Sequence, residues 1–256
     1  MYSRVRLTEA TKPDANGWAF WQGHLLCPLL TLSIILFAST HWDLDVLLAD
    51  FFYNLEGHQW ALKRNWFTDD LIHQIGKNFS IVLAVVVFAC WLASFRIEKL
   101  RGYCRALGVL LLSLILGSMT IPLLKGFTHV NCPWEFTRYG GGLPYRTLIS
   151  QLLDPNNPGP GRCFPAGHAT AGYIWVALYF FARQAFPRWR FAALAFGLGL
   201  GLVFGFSQQL RGAHFIMHDV WTLTICWSIS LCLYWFFFAP RRAAVSSTTV
   251  FAASSN

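Results

Sequence analysis

A chain of 256 residues with 55% hydrophobic, 17% aromatic and 12% charged residues has about half the charged fraction of a soluble domain. That balance excludes an ordinary water-soluble enzyme, and the 23 Phe and 12 Trp suit lipid-facing surfaces and interfacial belts. The net charge of +8 is scattered in short clusters between apolar runs, which excludes a nucleic-acid groove and fits topology signals.

Residues 1–24 carry Arg4, Arg6, Glu9, Lys12 and Asp14 ahead of the first apolar run. This lead is long for a signal peptide and no small-residue cleavage site follows it, so an uncleaved first helix is expected. Runs of spanning length follow at Leu25–Thr40, Phe79–Phe95, Ala106–Leu124, His168–Phe186, Phe191–Ser207 and Asp219–Ala239. The expected fold is all-α: a polytopic membrane protein forming one six-transmembrane-helix bundle over residues 25–239. A short cytoplasmic tail, 240–256, ends in the polar, disordered-type stretch Ser246–Asn256.

Between the first two runs, Leu44, Leu47, Leu48, Phe51 and Phe52 recur at helical spacing, with Asp43, Asp45 and Asp50 opposite. The pattern predicts an extracytoplasmic amphipathic helix lying at the interface and covering the bundle. Residues 125–167 have no hydrophobic period and contain Gly140-Gly-Gly142 and Asp154-Pro-Asn-Asn-Pro-Gly-Pro-Gly161, as an active-site loop would. On the fifth run Ala193, Gly197, Gly201 and Gly205 recur every four positions and permit a close helix approach.

Orientation follows from charge. With the N-terminus cytoplasmic, the inner segments hold Arg4, Arg6, Lys12, Arg96, Lys99, Arg101, Arg105, Arg183, Arg188, Arg190, Arg241 and Arg242 against three acids. The outer segments hold eight basic and nine acidic residues, so every short inner loop is basic, as the positive-inside rule requires. Both termini are then cytoplasmic. Compact size and short loops suggest a bacterial inner membrane, with the active site in the periplasm.

In this topology His41, His58, His73, His129, His168, His214 and His218 lie outside and only His24 lies near the inner face. Three outer span ends combine histidine with a cation or a helix start: Lys125 through Trp134, Phe164-Pro-Ala-Gly-His168, and Arg211-Gly-Ala-His-Phe-Ile-Met-His-Asp219. A phosphate would find free backbone N–H groups at the Pro165-Ala-Gly167-His168 turn and positive charge at Lys125 and Arg211. One imidazole can attack phosphorus and a second can protonate the departing oxygen. His214 suits the nucleophile, supported by Asp219 or His218, and His168 suits the acid. His129 reads as a polar loop residue. No His-Glu-x-x-His or Cys-x-x-Cys spacing is present, so neither a metal nor another cofactor is expected.

Taken in order, these stretches resemble the type 2 phosphatidic acid phosphatase family of the vanadium-haloperoxidase superfamily. That family has Lys, six residues, Arg-Pro; then Pro-Ser-Gly-His; then Ser-Arg, five residues, His, three residues, Asp. Here the blocks read Lys125…Cys132-Pro133, Pro165-Ala166-Gly167-His168, and Ser207-Gln208…His214 with His218 at the spacing of the aspartate. The resemblance covers about residues 79–239. It implies His214 as nucleophile, His168 as general acid and Lys125 as phosphate ligand. Two arginines are absent from their usual places; Arg211 could replace one from the same helix end, and Arg138 or Arg162 the other. The resemblance implies hydrolysis of a phospholipid phosphate or polyprenyl diphosphate, among membrane lipids and without nucleic acid. A lipid-to-lipid phosphotransferase and a catalytically silent lipid transporter or binding protein are the alternative readings.

Of the seven cysteines only Cys132 and Cys163 lie outside, each beside one of these motifs. An oxidising compartment predicts a disulfide between them, closing a loop that would stabilise the fold by about 3–4 kcal/mol.

Overall fold

The computed structural model describes residues 17–66, 74, 76–154 and 161–239. The charged lead up to residue 16, His73, residues 155–160 of the long loop and the tail from 240 onward lie outside the described residues. Among the described residues all regular elements are helical, and Phe136 and Leu143 form an isolated bridge. The main helices are α1 (Cys27–Trp42), α2 (Leu44–Leu55), α3 (Gly76–Ala93), α4 (Cys104–Thr128), α5 (Gly167–Tyr173), α6 (Ala177–Ala185), α7 (Arg190–Leu210) and α8 (Ile216–Phe238).

Among the described residues five helical stretches are long and apolar enough to cross a membrane: Trp18–Trp42, Gly76–Ala93, Cys104–Glu135, Pro187–Leu210 and Ile216–Phe238. The expected fourth span differs. It is built from α5, a 3-10 turn at Ile174–Val176, and α6, and it carries His168, Thr170, Tyr173, Tyr179 and Arg183. Its composition follows from its position: Ala169, Tyr173, Trp175, Val176, Ala177 and Phe180 are all buried within the bundle. A helix sheathed by other helices has no need of a lipid-compatible surface. By contrast, α3 exposes Ile81, Val82, Val85, Val86 and Phe88 along its length, an apolar surface that water would not tolerate.

The small residues of α7 bring this central segment close. A Cβ on Gly197 would fall 2.5 Å from the Val176 backbone nitrogen, Gly201 abuts the Tyr173 ring, and Gly172 faces the Gly201 backbone. α3 is held to the same segment by Ser80, whose hydroxyl donates to the Ala171 carbonyl and accepts from Trp175 Nε1, both at 2.8 Å. α1 is the peripheral member. Pro28 has no N–H for the His24 carbonyl one turn back, and that oxygen instead accepts from Trp227 Nε1 at 2.8 Å, tying the π turn Gln22–Leu26 to α8.

α2 forms as expected in extent but not in facing. A left-handed Asp43 (φ 47°) separates it from α1. Leu47, Phe51 and Leu55 are exposed, whereas Asp45, placed by the sequence pattern on the polar side, is buried with Ala49 and Phe52. The reason is a tertiary partner: Asp45 Oδ1 accepts from the Met217 N–H at 3.0 Å, capping the first turn of α8 where no local side chain does so.

Replacing Gly201 by Val should drive α7 from Tyr173 and destabilise the bundle by about 1–3 kcal/mol or more. The measurement is the unfolding temperature in detergent; an unchanged value would contradict this packing.

Candidate active site

Three separated stretches are stitched together at one end of the bundle. The end of α4 is joined to the 161–166 segment by Thr128 Oγ1 donating to the Phe164 carbonyl (2.5 Å) and by Cys163 N–H donating to the Val130 carbonyl (2.9 Å). Cys132 and Cys163 are disulfide-bonded, with Cα atoms 5.3 Å apart. Trp134 N–H donates to the Gly212 carbonyl at 3.1 Å, linking the same strip to the turn between α7 and α8. Ala166 N–H donates to Thr222 Oγ1 at 2.9 Å and so fixes the start of α5 against α8.

This stitching brings His168, His214, His218, Lys125 and Gly167 together. His214 and His218 face each other through their Nδ1 atoms at 3.3 Å, one ring donating and the other accepting. Both imidazoles also meet the backbone of Cys163, the residue that the disulfide ties to α4. A Cβ on Gly167 would lie 3.2 Å from Lys125 Nζ, so the absent side chain is what lets the ammonium reach the first turn of α5. With Ala166 N–H engaged by Thr222, the N–H groups next in line on that turn are those of Gly167, His168 and Ala169.

His214 is fully enclosed. Burial holds its imidazole well below the usual histidine range, and His218, Lys125 and His168 push the same way, against a hydrogen bond to the Cys163 backbone carbonyl. A ring kept neutral at ordinary pH retains a lone pair for attack. If Nδ1 carries the proton shared with His218, that lone pair is on Nε2.

Of the two residues expected beside His214, His218 is the one in contact with it. Asp219 turns toward α7, where its Oδ2 accepts from Gln209 Nε2 at 2.6 Å and packs against Gly205. Two of the three candidate arginines have partners of their own. Arg211 is buried and donates through Nε and a terminal nitrogen to the Lys63 carbonyl at 3.2 and 3.0 Å. Arg138 makes a bidentate pair with Asp50 on α2, at 2.8 and 2.6 Å, which holds the Asp50 carboxyl below its usual range. Arg162 is exposed. A charged side chain in a loop shows its sign in the sequence, but not its partner.

A crevice of about 310 Å³ adjoins this cluster and runs between α3, α4, α5 and α7. Gly167, His168 and Gln208 form its upper wall, and Ile81, Ile174 and Phe204 are among its apolar residues. Lys77, at the first turn of α3, also lines it. Sequence reasoning missed Lys77 because it belongs to no motif and was one of several charges in an outer segment. Gln208 was seen only as a substitution. Among the described residues no three His, Cys, Asp or Glu side chains are grouped as metal ligands.

Two predictions follow the geometry. Removing both bridging cysteines (Cys132→Ala with Cys163→Ala) should cost about 3 kcal/mol of stability and lower turnover, since the Cys163 backbone lies beside both imidazoles. Unchanged unfolding temperature and activity would show that the disulfide does not position them. Burial pushes the Asp45 carboxyl up to about 7 from 3.8, with the Met217 N–H opposing and Asp43 adding to the rise. The folded state therefore binds the proton more tightly, and stability falls as pH climbs through that window. Asp45→Asn keeps an oxygen for Met217 without the buried charge. Its advantage in unfolding temperature should be small near about pH 4 and grow toward about pH 8; a gap independent of pH would contradict it.

A PAP2 superfamily model matches residues 106–242, more than half of the chain and all of the histidine-bearing segments just described. Neither the curated proteins nor the solved structures gave a match. The chain belongs to the PAP2 superfamily, a family of phosphatases, which supports phosphoester hydrolysis at this site.

Proposed function

We propose that this protein is an integral membrane phosphatase that hydrolyses a lipid phosphate monoester or diphosphate from the extracytoplasmic face, without a metal, through a phosphohistidine. The observation that carries the reading is the assembly of His214, His218, His168 and Lys125 around the Gly167 turn. The bundle surface and the five apolar helices support a membrane setting. Six spans result when the buried α5–α6 segment is counted with those five. α3 then descends from the site end, α4 returns, α5–α6 descends and α7 returns. The turns at the far end carry Arg96, Lys99, Arg101, Arg188 and Arg190, which supports a cytoplasmic location for that end.

In the reaction, Nε2 of neutral His214 attacks phosphorus while His218 holds the ring's tautomer and orientation. Lys125 and the N–H groups that open α5 receive the equatorial oxygens as charge develops on them. His168 gives its proton to the departing oxygen, then takes one from the water that cleaves the phosphohistidine. A lipid fits this site because the crevice beside His168 descends along α5 toward Ile174, about 10 Å below Gly167 at helical rise, between apolar walls.

Phosphate release from a panel of lipid phosphates by purified protein in chelator tests the proposal. His214→Ala should lower release by about a thousandfold or more while leaving the unfolding temperature near wild type. Activity that survives in His214→Ala, or that EDTA abolishes and a divalent ion restores, would overturn it.

A further inference from the structure

Lys77 stands apart from the other cations near the site. Arg211 is held by the Lys63 carbonyl and Arg138 by Asp50, while Lys125 lies against Gly167. Lys77 makes no ion pair with a described residue, and no carboxylate among the described residues lines its crevice. A cation at a partly enclosed cleft with low-dielectric walls exerts its field on whatever enters.

Its position relative to the chemistry is informative. His168 and Gly167 belong to both compartments: they border Lys125 and His214 on one side and line the crevice with Lys77 and Gln208 on the other. His214 and Lys125 do not line that crevice. The general acid therefore stands between the nucleophile and the Lys77 compartment, which is where a leaving group must lie. An alkoxide leaving group brings hydrocarbon there. A phosphate leaving group brings an anion, and Lys77 and the Gln208 carboxamide can receive it.

We infer that Lys77 contacts the leaving phosphate of a lipid diphosphate, and that the site is built to cleave a diphosphate in preference to a monoester. The inference rests on the phosphatase reading above. The step balances as follows. Nε2 of His214 forms a bond to the terminal phosphorus, the bond from that phosphorus to the bridging oxygen breaks, and His168 supplies a proton to that oxygen. The products are a lipid monophosphate held by Lys77 and a phosphohistidine, which water converts to inorganic phosphate and free His214. Lys77 stabilises charge that grows on the leaving group in the transition state, so its removal should lower kcat as well as binding.

The test compares farnesyl diphosphate with farnesyl monophosphate on the full-length protein in detergent. Lys77→Ala should lower kcat/KM about ten- to a hundredfold for the diphosphate and by a clearly smaller factor for the monophosphate. Lys77→Arg should recover most of the diphosphate rate, and both variants should unfold near the wild-type temperature. Equal losses on the two substrates, or no loss, would overturn the inference. A wild type that hydrolyses neither probe counts against the phosphatase reading itself. Lys77 is then tested by binding alone: wild type must bind inorganic pyrophosphate more tightly than inorganic phosphate, with the difference removed in Lys77→Ala. Absence of pyrophosphate binding, or a difference that survives the substitution, would overturn the assignment.

Discussion

Two imidazoles and an ammonium group cannot be gathered beneath the rim of an apolar bundle unless the backbone around them is fixed, and Cys163 supplies that constraint. Its backbone meets both His214 and His218, its N–H is bonded to the Val130 carbonyl, and its sulfur is bonded to Cys132. The loop from α4 is thereby locked to the turn that opens α5 and to the turn between α7 and α8. Each buried ring gives up hydration on entering this site, and the cost is tolerable only because a partner is already in place. Where relatives by motif carry an arginine, this chain has Cys132, so a position that could have bound phosphate directly instead holds the frame that positions the histidines.

The charge arrangement follows from the same constraint. The nearest groups acting on His214 are two imidazoles and a lysine, with no carboxylate among them. Among the described residues the two buried acids at this end contact other helices: Asp45 caps α8 and Asp219 accepts from Gln209 on α7. A carboxylate beside His214 would favour its protonated form, whereas His218 at 3.3 Å orients the ring and leaves it neutral. On the proposed reading this suits a nucleophile, and the stabilisation of developing negative charge falls to Lys125 and the start of α5. On that reading the placement of each lysine beside the site is consequential.

Much of this was legible in the chain. His168, His214 and Lys125 each sit at the end of an apolar run, and hydrophobic length alone puts such ends at a common level. The small-residue row of α7 and the Cys132–Cys163 pair were visible as patterns, because a period and two cysteines beside neighbouring motifs can be read directly from the chain. What was not legible depends on partners far apart in sequence. Asp45 groups with Asp43 and Asp50 by charge, yet its spacing sets it on the side of Phe52, where it caps an N–H of a helix 172 residues away. Arg211 and Arg138 show their charge in the sequence, but not that the Lys63 carbonyl and Asp50 are partners to them. The α5–α6 segment resembles a span in length, whereas its polar and aromatic content reflects burial by neighbours that sequence alone does not place.

The central claim is that His214 and His168 address one phosphorus centre from within a single enclosure. A structure of the full-length protein determined with orthovanadate tests this most directly, because vanadate adopts the five-coordinate geometry of the phosphoryl group in transfer. The account predicts vanadium bonded to Nε2 of His214, with Lys125 and the Gly167–His168 backbone on the equatorial oxygens and His168 at the opposite apical oxygen. Vanadate bound away from His214, or His168 directed away from the apical oxygen, would contradict it.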